Sequence, residues 1–135
     1  MQRTIELNND IAEIPQLSAF IDSFAEEENI DFSLVMGLQL ALEEAVVNVM
    51  EYAYPKGTVG KVQISASANG DDLEFVISDS GKAFDPTAKA EVDVDLGVED
   101  RPIGGLGIHL VRNIMDSVKY CRKDDKNVLT LHKHK

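Results

Sequence analysis

A chain of 135 residues with 44% apolar and 27% charged side chains suits one globular domain with a real core. Its formal net charge of −11 argues against nucleic acid and anionic membranes as partners. A nucleotide remains possible, because a local cradle of N–H groups and a divalent cation can override the global field.

The N-terminus, Met1 to Glu6, lacks the charged-then-apolar order of a signal peptide. No apolar run approaches the ~20 residues of a membrane span, so a cytoplasmic protein is expected. Residues 3–7 read as an opening strand, and Asn8-Asn9-Asp10 supplies turn and helix-capping chemistry. From Ile11 to about Glu28, Ile14, Leu17, Phe20, Ile21 and Phe24 recur at three and four, which predicts an amphipathic helix with Pro15 in its first turn. Its acidic end, Glu26-Glu27-Glu28, opposes the helix dipole, so fraying is expected there. Asp31 or Ser33 caps a second helix running to about Ala53. That helix is apolar nearly all round, which predicts burial on more than one side, yet it contains Glu43, Glu44 and Asn48.

Two strands follow, from Lys61 to Ala68 and from Leu73 to Ile77, joined by an Asn69-Gly70 hairpin signal. Asp79 falls on the same face as Leu73, Phe75 and Ile77, so its carboxylate points toward the layer covering the sheet. Residues 80–103 hold no convincing element, and loops of this length are usually lids. Gly104-Gly105-Leu106-Gly107 then opens directly into a helix carrying Ile108, Val111, Met115 and Val118. Strands over 118–122 and 127–133, joined at Asp124-Asp125-Lys126, close the chain, and Cys121 reads as a small buried residue within the first. The expected fold is α+β, a two-layer sandwich with helices on one face of a mainly antiparallel mixed sheet, in one domain covering 1–135.

Three polar groups carry chemistry. Glu44 and Asn48, four apart, share a helical face and can hold a hard cation or activate a hydroxyl. Asp79 is an acceptor suited to an exocyclic amine such as that of adenine, and Gly81 permits close approach. Glycines at a helix start free backbone N–H groups for phosphate. Together they describe a nucleotide pocket between helices and sheet.

The ordered set Glu44-x-x-x-Asn48, Asp79-x-Gly81 and Gly105-x-Gly107 resembles the N, G1 and G2 boxes of the GHKL ATPases, which share the Bergerat nucleotide fold. With Asp79 to Pro86 and Gly104 to Val111 as they stand, the chain is most similar to the anti-sigma-factor serine/threonine kinases of bacterial partner switching. The resemblance implies ATP and Mg²⁺ as cofactors, with Asn48 on the metal and Glu44 as the base taking the serine proton. It implies Asp79 on the adenine amine, Gly81 and Ala83 beside the base, and Gly105, Leu106 and Gly107 on the phosphates. Arg101 stands just before the glycines and would reach a phosphate or face solvent.

The implied substrate is a STAS-domain antagonist, the implied second partner a sigma factor or similar regulator, and a homodimer is compatible with the family. Departures are Ala83 for the second G1 glycine and Tyr52 for a histidine following the N box. The adenine-side threonine has Asn127 or Thr130 as its substitute. An ATP-gated binding module with little or no transfer is the alternative reading. His109, His132 and His134 form no metal spacing, and the last two belong to a tail expected to be solvated.

Overall fold

The structure, a computed structural model, describes residues 2–55, 57–89 and 105–135. The chain opens with β1 (Gln2–Asn8), a 3₁₀ turn at Ile11–Glu13, α1 (Ile14–Glu27) and α2 (Phe32–Tyr52). The hairpin β2 (Lys61–Asn69) and β3 (Asp72–Asp79) follows, then a 3₁₀ turn at Pro86–Lys89. It ends with α3 (Gly105–Ile114), β4 (Ser117–Lys123) and β5 (Lys126–His134). The strands form one sheet in the order β1-β2-β3-β5-β4. All four neighbouring pairs are antiparallel, so the sheet is more uniform than the mixed one expected. Both turns follow local chemistry: Gly70 takes φ 63° at the first, and Asp124 and Asp125 take φ 53° and 61° at the second.

Alternation along the strands sorts the side chains. Leu7, Val62, Ile64, Ala66, Leu73, Phe75, Ile77, Leu129 and Leu131 face the helices and are buried. Leu17, Ile21 and Phe24 of α1 meet them together with Leu38, Leu42, Val46 and Val49 of α2, and Phe24 packs edge-on to Phe75 at 5.8 Å. The same alternation corrects one reading. Val118, Tyr120 and Arg122 share a face through their pairing with Leu131, Leu129 and Asn127, so Cys121 lies on the opposite face and is exposed.

Other expectations also change. Rather than fraying, α1 ends with Ile30 N–H donating to Ala25 O (2.9 Å) and Asn29 N–H to Glu26 O (3.3 Å), Asn29 being left-handed at φ 53°. Arg3 pairs with Glu27, and Lys135 Nζ donates to the Glu28 carbonyl, so cations offset the unfavourable dipole at this end. His132 and His134 belong to β5 rather than to a tail, and both approach Asp72 Oδ1, at 3.3 and 3.1 Å, while their side chains stay in contact with solvent as expected.

The second helix is buried on one side only: Phe32, Met36 and Leu40 are exposed large apolar residues. Its 21 residues, with mean hydropathy 1.4 over their most apolar stretch, meet the length and composition of a membrane span. Its other face supplies Leu38, Ala41, Leu42, Ala45, Val46 and Val49 to the core, which accounts for much of that apolarity.

The end of α2 is tied to the end of β3. Lys82 N–H donates to Ala53 O at 2.8 Å, and the buried Tyr54 hydroxyl donates to Lys61 O (2.6 Å) while accepting from Ser80 N–H (3.0 Å). Tyr54→Phe removes both bonds and leaves two backbone groups unpartnered, so it is expected to cost about 1–3 kcal/mol. Denaturant unfolding reads that loss, and unchanged stability would show that solvent replaces the hydroxyl.

Candidate functional site

The site collects where α2, β3 and β5 meet. Asn48, Asp79 and Asn127 are the three buried polar residues among those described, 3%, 4% and 4% exposed. Register explains two of them: Asp79 and Asn127 are cross-strand partners with the inward parity of their neighbours Ile77 and Leu129. Asn127 therefore stands beside Asp79, whereas Thr130 has the opposite parity and faces away from the helices.

Asp79 is held asymmetrically. Its Oδ1 accepts from Gly81 N–H at 2.8 Å and from Asn127 Nδ2 at 2.9 Å. Its Oδ2 is buried and has no hydrogen-bond partner among the described residues. Burial pushes the carboxyl above its ordinary value of 3.8, while the bonds from Asn127 and Gly81 and the nearby Arg122 guanidinium pull the other way. A buried acceptor without a donor costs about 1–3 kcal/mol, so this oxygen is suited to a ligand's N–H.

Asn127 is the hub of the surrounding contacts. Besides Asp79, its Nδ2 donates to Lys82 O (2.7 Å), and its Oδ1 accepts from Phe84 N–H (3.1 Å) and from the Tyr120 hydroxyl. Arg122 donates to Gly81 O at 2.8 Å. Strand end and following loop are thus wired into β4 and β5. Gly81 is required by packing: a Cβ there would lie 2.3 Å from the Ala53 carbonyl oxygen. Ala83 is exposed in the same loop. Tyr52 stacks on Phe84, with ring centroids 5.4 Å apart and planes at 25°, so the residue standing for the expected histidine braces this loop.

Glu44 is half-buried one turn before Asn48, while Glu43 is exposed. Both expected N-box groups therefore lie on the side of α2 that turns from solvent toward the interior. Gly105, Leu106 and Gly107 form the first turn of α3, where backbone N–H groups have no acceptor within the helix. Arg101 and Gly104, and the 90–103 part of the expected lid, lie outside the described residues.

Sequence reasoning overlooked Tyr120, Arg122 and Tyr54. The first two share a face with Val118, a parity that shows only once β4 is paired with β5, and the last shows only from tertiary contact.

Linkage gives a test of the Asp79 environment. Its raised value means that the folded state holds this proton more tightly than the unfolded state does. Its contribution to stability therefore falls as pH rises from the ordinary carboxyl value through the raised one, then levels off. The stability of Asp79→Asn relative to wild type should accordingly increase across that window. Unfolding titrations of both proteins between acid and neutral pH measure the difference, and the opposite slope would place the carboxylate in a favourable electrostatic setting.

The sequence matches the family described as "Histidine kinase-like ATPase domain" over residues 7–133. It is 26% identical over 131 residues to the serine/threonine-protein kinase BtrW of Bordetella bronchiseptica, covering 97% of this chain and 92% of that protein. Identity to the serine-protein kinase RsbW of Bacillus mycoides is 32% over 96 residues, covering 68% of this chain and 59% of that one. The fold is similar to the structure of the RsbU and RsbW domains of Rv1364c from Mycobacterium tuberculosis, with a TM-score of 0.71 and 16% identity. That likeness covers 99% of this chain and 32% of the other. A family match over nearly the whole chain, on a five-stranded sheet backed by helices, shows that this protein belongs to the histidine kinase-like ATPase domain family.

Proposed function

We propose that this chain is an ATP-dependent serine/threonine protein kinase of the anti-sigma-factor type, acting in the cytoplasm on a STAS-domain antagonist. A sigma factor or similar regulator is the second partner. The observation that carries the reading is the buried Asp79 Oδ2, without a hydrogen-bond partner among the described residues, beside an Oδ1 that accepts two bonds. An acceptor fixed in this way matches an adenine amine, whereas guanine would present a carbonyl oxygen at the corresponding edge. The kinase names borne by relatives at 26% and 32% identity support phosphoryl transfer as the activity.

ATP with Mg²⁺ would supply the transferable phosphoryl group and neutralise its charge. The chain's own residues then have distinct tasks. Asp79 binds and orients the base, with Asn127 and Gly81 fixing its rotamer. Asn48 offers a hard amide oxygen suited to Mg²⁺, which keeps much of its shell as water and phosphate oxygen. The first-turn N–H groups at Gly105, Leu106 and Gly107 are oriented for phosphate, and Arg101 would add a cation. Glu44, half-buried and one turn from Asn48, takes the proton from the acceptor hydroxyl. Positioning and charge neutralisation account for the remainder of the catalysis.

Calorimetry should show Mg²⁺-dependent ATP binding that is lost in Asp79→Asn, because an amide N–H would then face the adenine amine. Binding unaffected by that change would refute the base assignment. Glu44→Gln should retain ATP binding and lower phosphate transfer by roughly 10²–10⁴-fold. Unchanged transfer would remove Glu44 from the chemistry. If wild type instead binds ATP, changes its affinity for a STAS partner and transfers nothing, the protein is an ATP-gated binding module. The brace formed by Tyr52 against Phe84 gives that second reading its structural basis.

A further inference from the structure

Helix α2 carries one row of side chains at strict i, i+4 spacing: Phe32, Met36, Leu40, Glu44 and Asn48. Exposure falls steadily along it, from 76% at Phe32 through 61% at Met36 and 46% at Leu40 to half-buried Glu44 and 3% at Asn48. Each step of four residues rises ~6 Å and turns ~40° around the axis, so the row spirals from open solvent into the interior. Three large apolar side chains aligned on one face differ from scattered surface residues such as Ile11 and Val59, which need no special explanation.

We propose that the Phe32–Met36–Leu40 ridge is the docking surface for the protein that brings the acceptor hydroxyl to Glu44. This rests on the kinase reading and adds where the substrate protein sits. Leu40 is one turn from Glu44, so a partner seated on the ridge is delivered next to the base, with Phe32 ~18 Å away along the axis. Asp31, which caps the helix beside Phe32, and Glu43, three residues after Leu40, are exposed at the two ends of the ridge. The complementary surface is therefore an apolar patch bordered by basic side chains, flanking a serine or threonine.

A second copy of the chain is the poorer occupant, because a self-association centred here would cover the approach to Glu44. Three partly exposed side chains also offer only a few hundred Å², well short of the ~800 Å² per partner of a typical stable interface.

The test is steady-state phosphate transfer from ATP and Mg²⁺ to STAS-domain proteins encoded in the same genome. Phe32→Ala, Met36→Lys and a Val59→Lys control are compared with wild type. Met36→Lys should raise the KM for the acceptor protein about tenfold or more, with Phe32→Ala acting in the same direction. The kcat, the calorimetric Kd for ATP and the behaviour of Val59→Lys should stay at wild-type values. An unchanged acceptor KM in both ridge variants would overturn the proposal, and so would a change in ATP affinity. A lower sedimentation mass in those variants would instead make the ridge a contact between copies. Wild type that transfers phosphate to no acceptor would sink the kinase reading and the docking site together, whereas failure confined to the variants concerns the docking site alone.

Discussion

A carboxylate enclosed at the end of a strand is costly, and the architecture around Asp79 contains that cost without removing it. Two N–H donors are committed to Oδ1, and Oδ2 has none among the described residues. A third donor from the protein would have made the apo state more stable and the pocket less receptive. The unsatisfied oxygen is a local deficit of the kind proteins keep where a ligand will complete it. Arg122 moderates the cost without closing the site, because its guanidinium bonds to the Gly81 carbonyl instead of pairing directly with the carboxylate.

Holding such a group requires that the strand end not move, and α2 provides the anchor. The helix terminates against the loop after β3, where Lys82 N–H bonds to Ala53 O and the Tyr54 hydroxyl bridges Lys61 and Ser80. Gly81 lets the two backbones approach this closely. One helix thus meets three demands along its length: an exposed apolar row, a half-buried acid, and a buried amide near its end. Its low amphipathic contrast follows from those demands, since no single face is uniformly polar.

Much of this was legible in the sequence because period and parity are local properties. The inward placement of Asp79 followed from counting by twos from Leu73, and the pairing of Glu44 with Asn48 from counting by fours. Cys121 went the other way because a short strand with charged residues on both faces gives weak parity until its partner is known. Pairing with β5 supplied that register. The choice of Asn127 over Thr130 likewise depended on cross-strand register, which the chain before folding does not display. For α2, apolar composition was mistaken for burial: Phe32, Met36 and Leu40 are as apolar as core residues, and only tertiary packing distinguishes the covered face from the open one.

Net charge and site chemistry complete the picture. A chain of −11 repels a polyphosphate at long range, so binding must come from short-range, oriented donors. On the proposed reading, backbone N–H groups at the start of α3 would serve this purpose, because they carry no counterion and are fixed by the helix itself. The proposed Mg²⁺ would add charge only when the nucleotide is present. The acidic surface would then act as a filter, disfavouring nucleic acid and other extended polyanions while admitting a compact nucleotide whose charge the proposed metal reduces. By the same field it would favour protein partners with basic surfaces, the complement expected for the proposed docking ridge on α2.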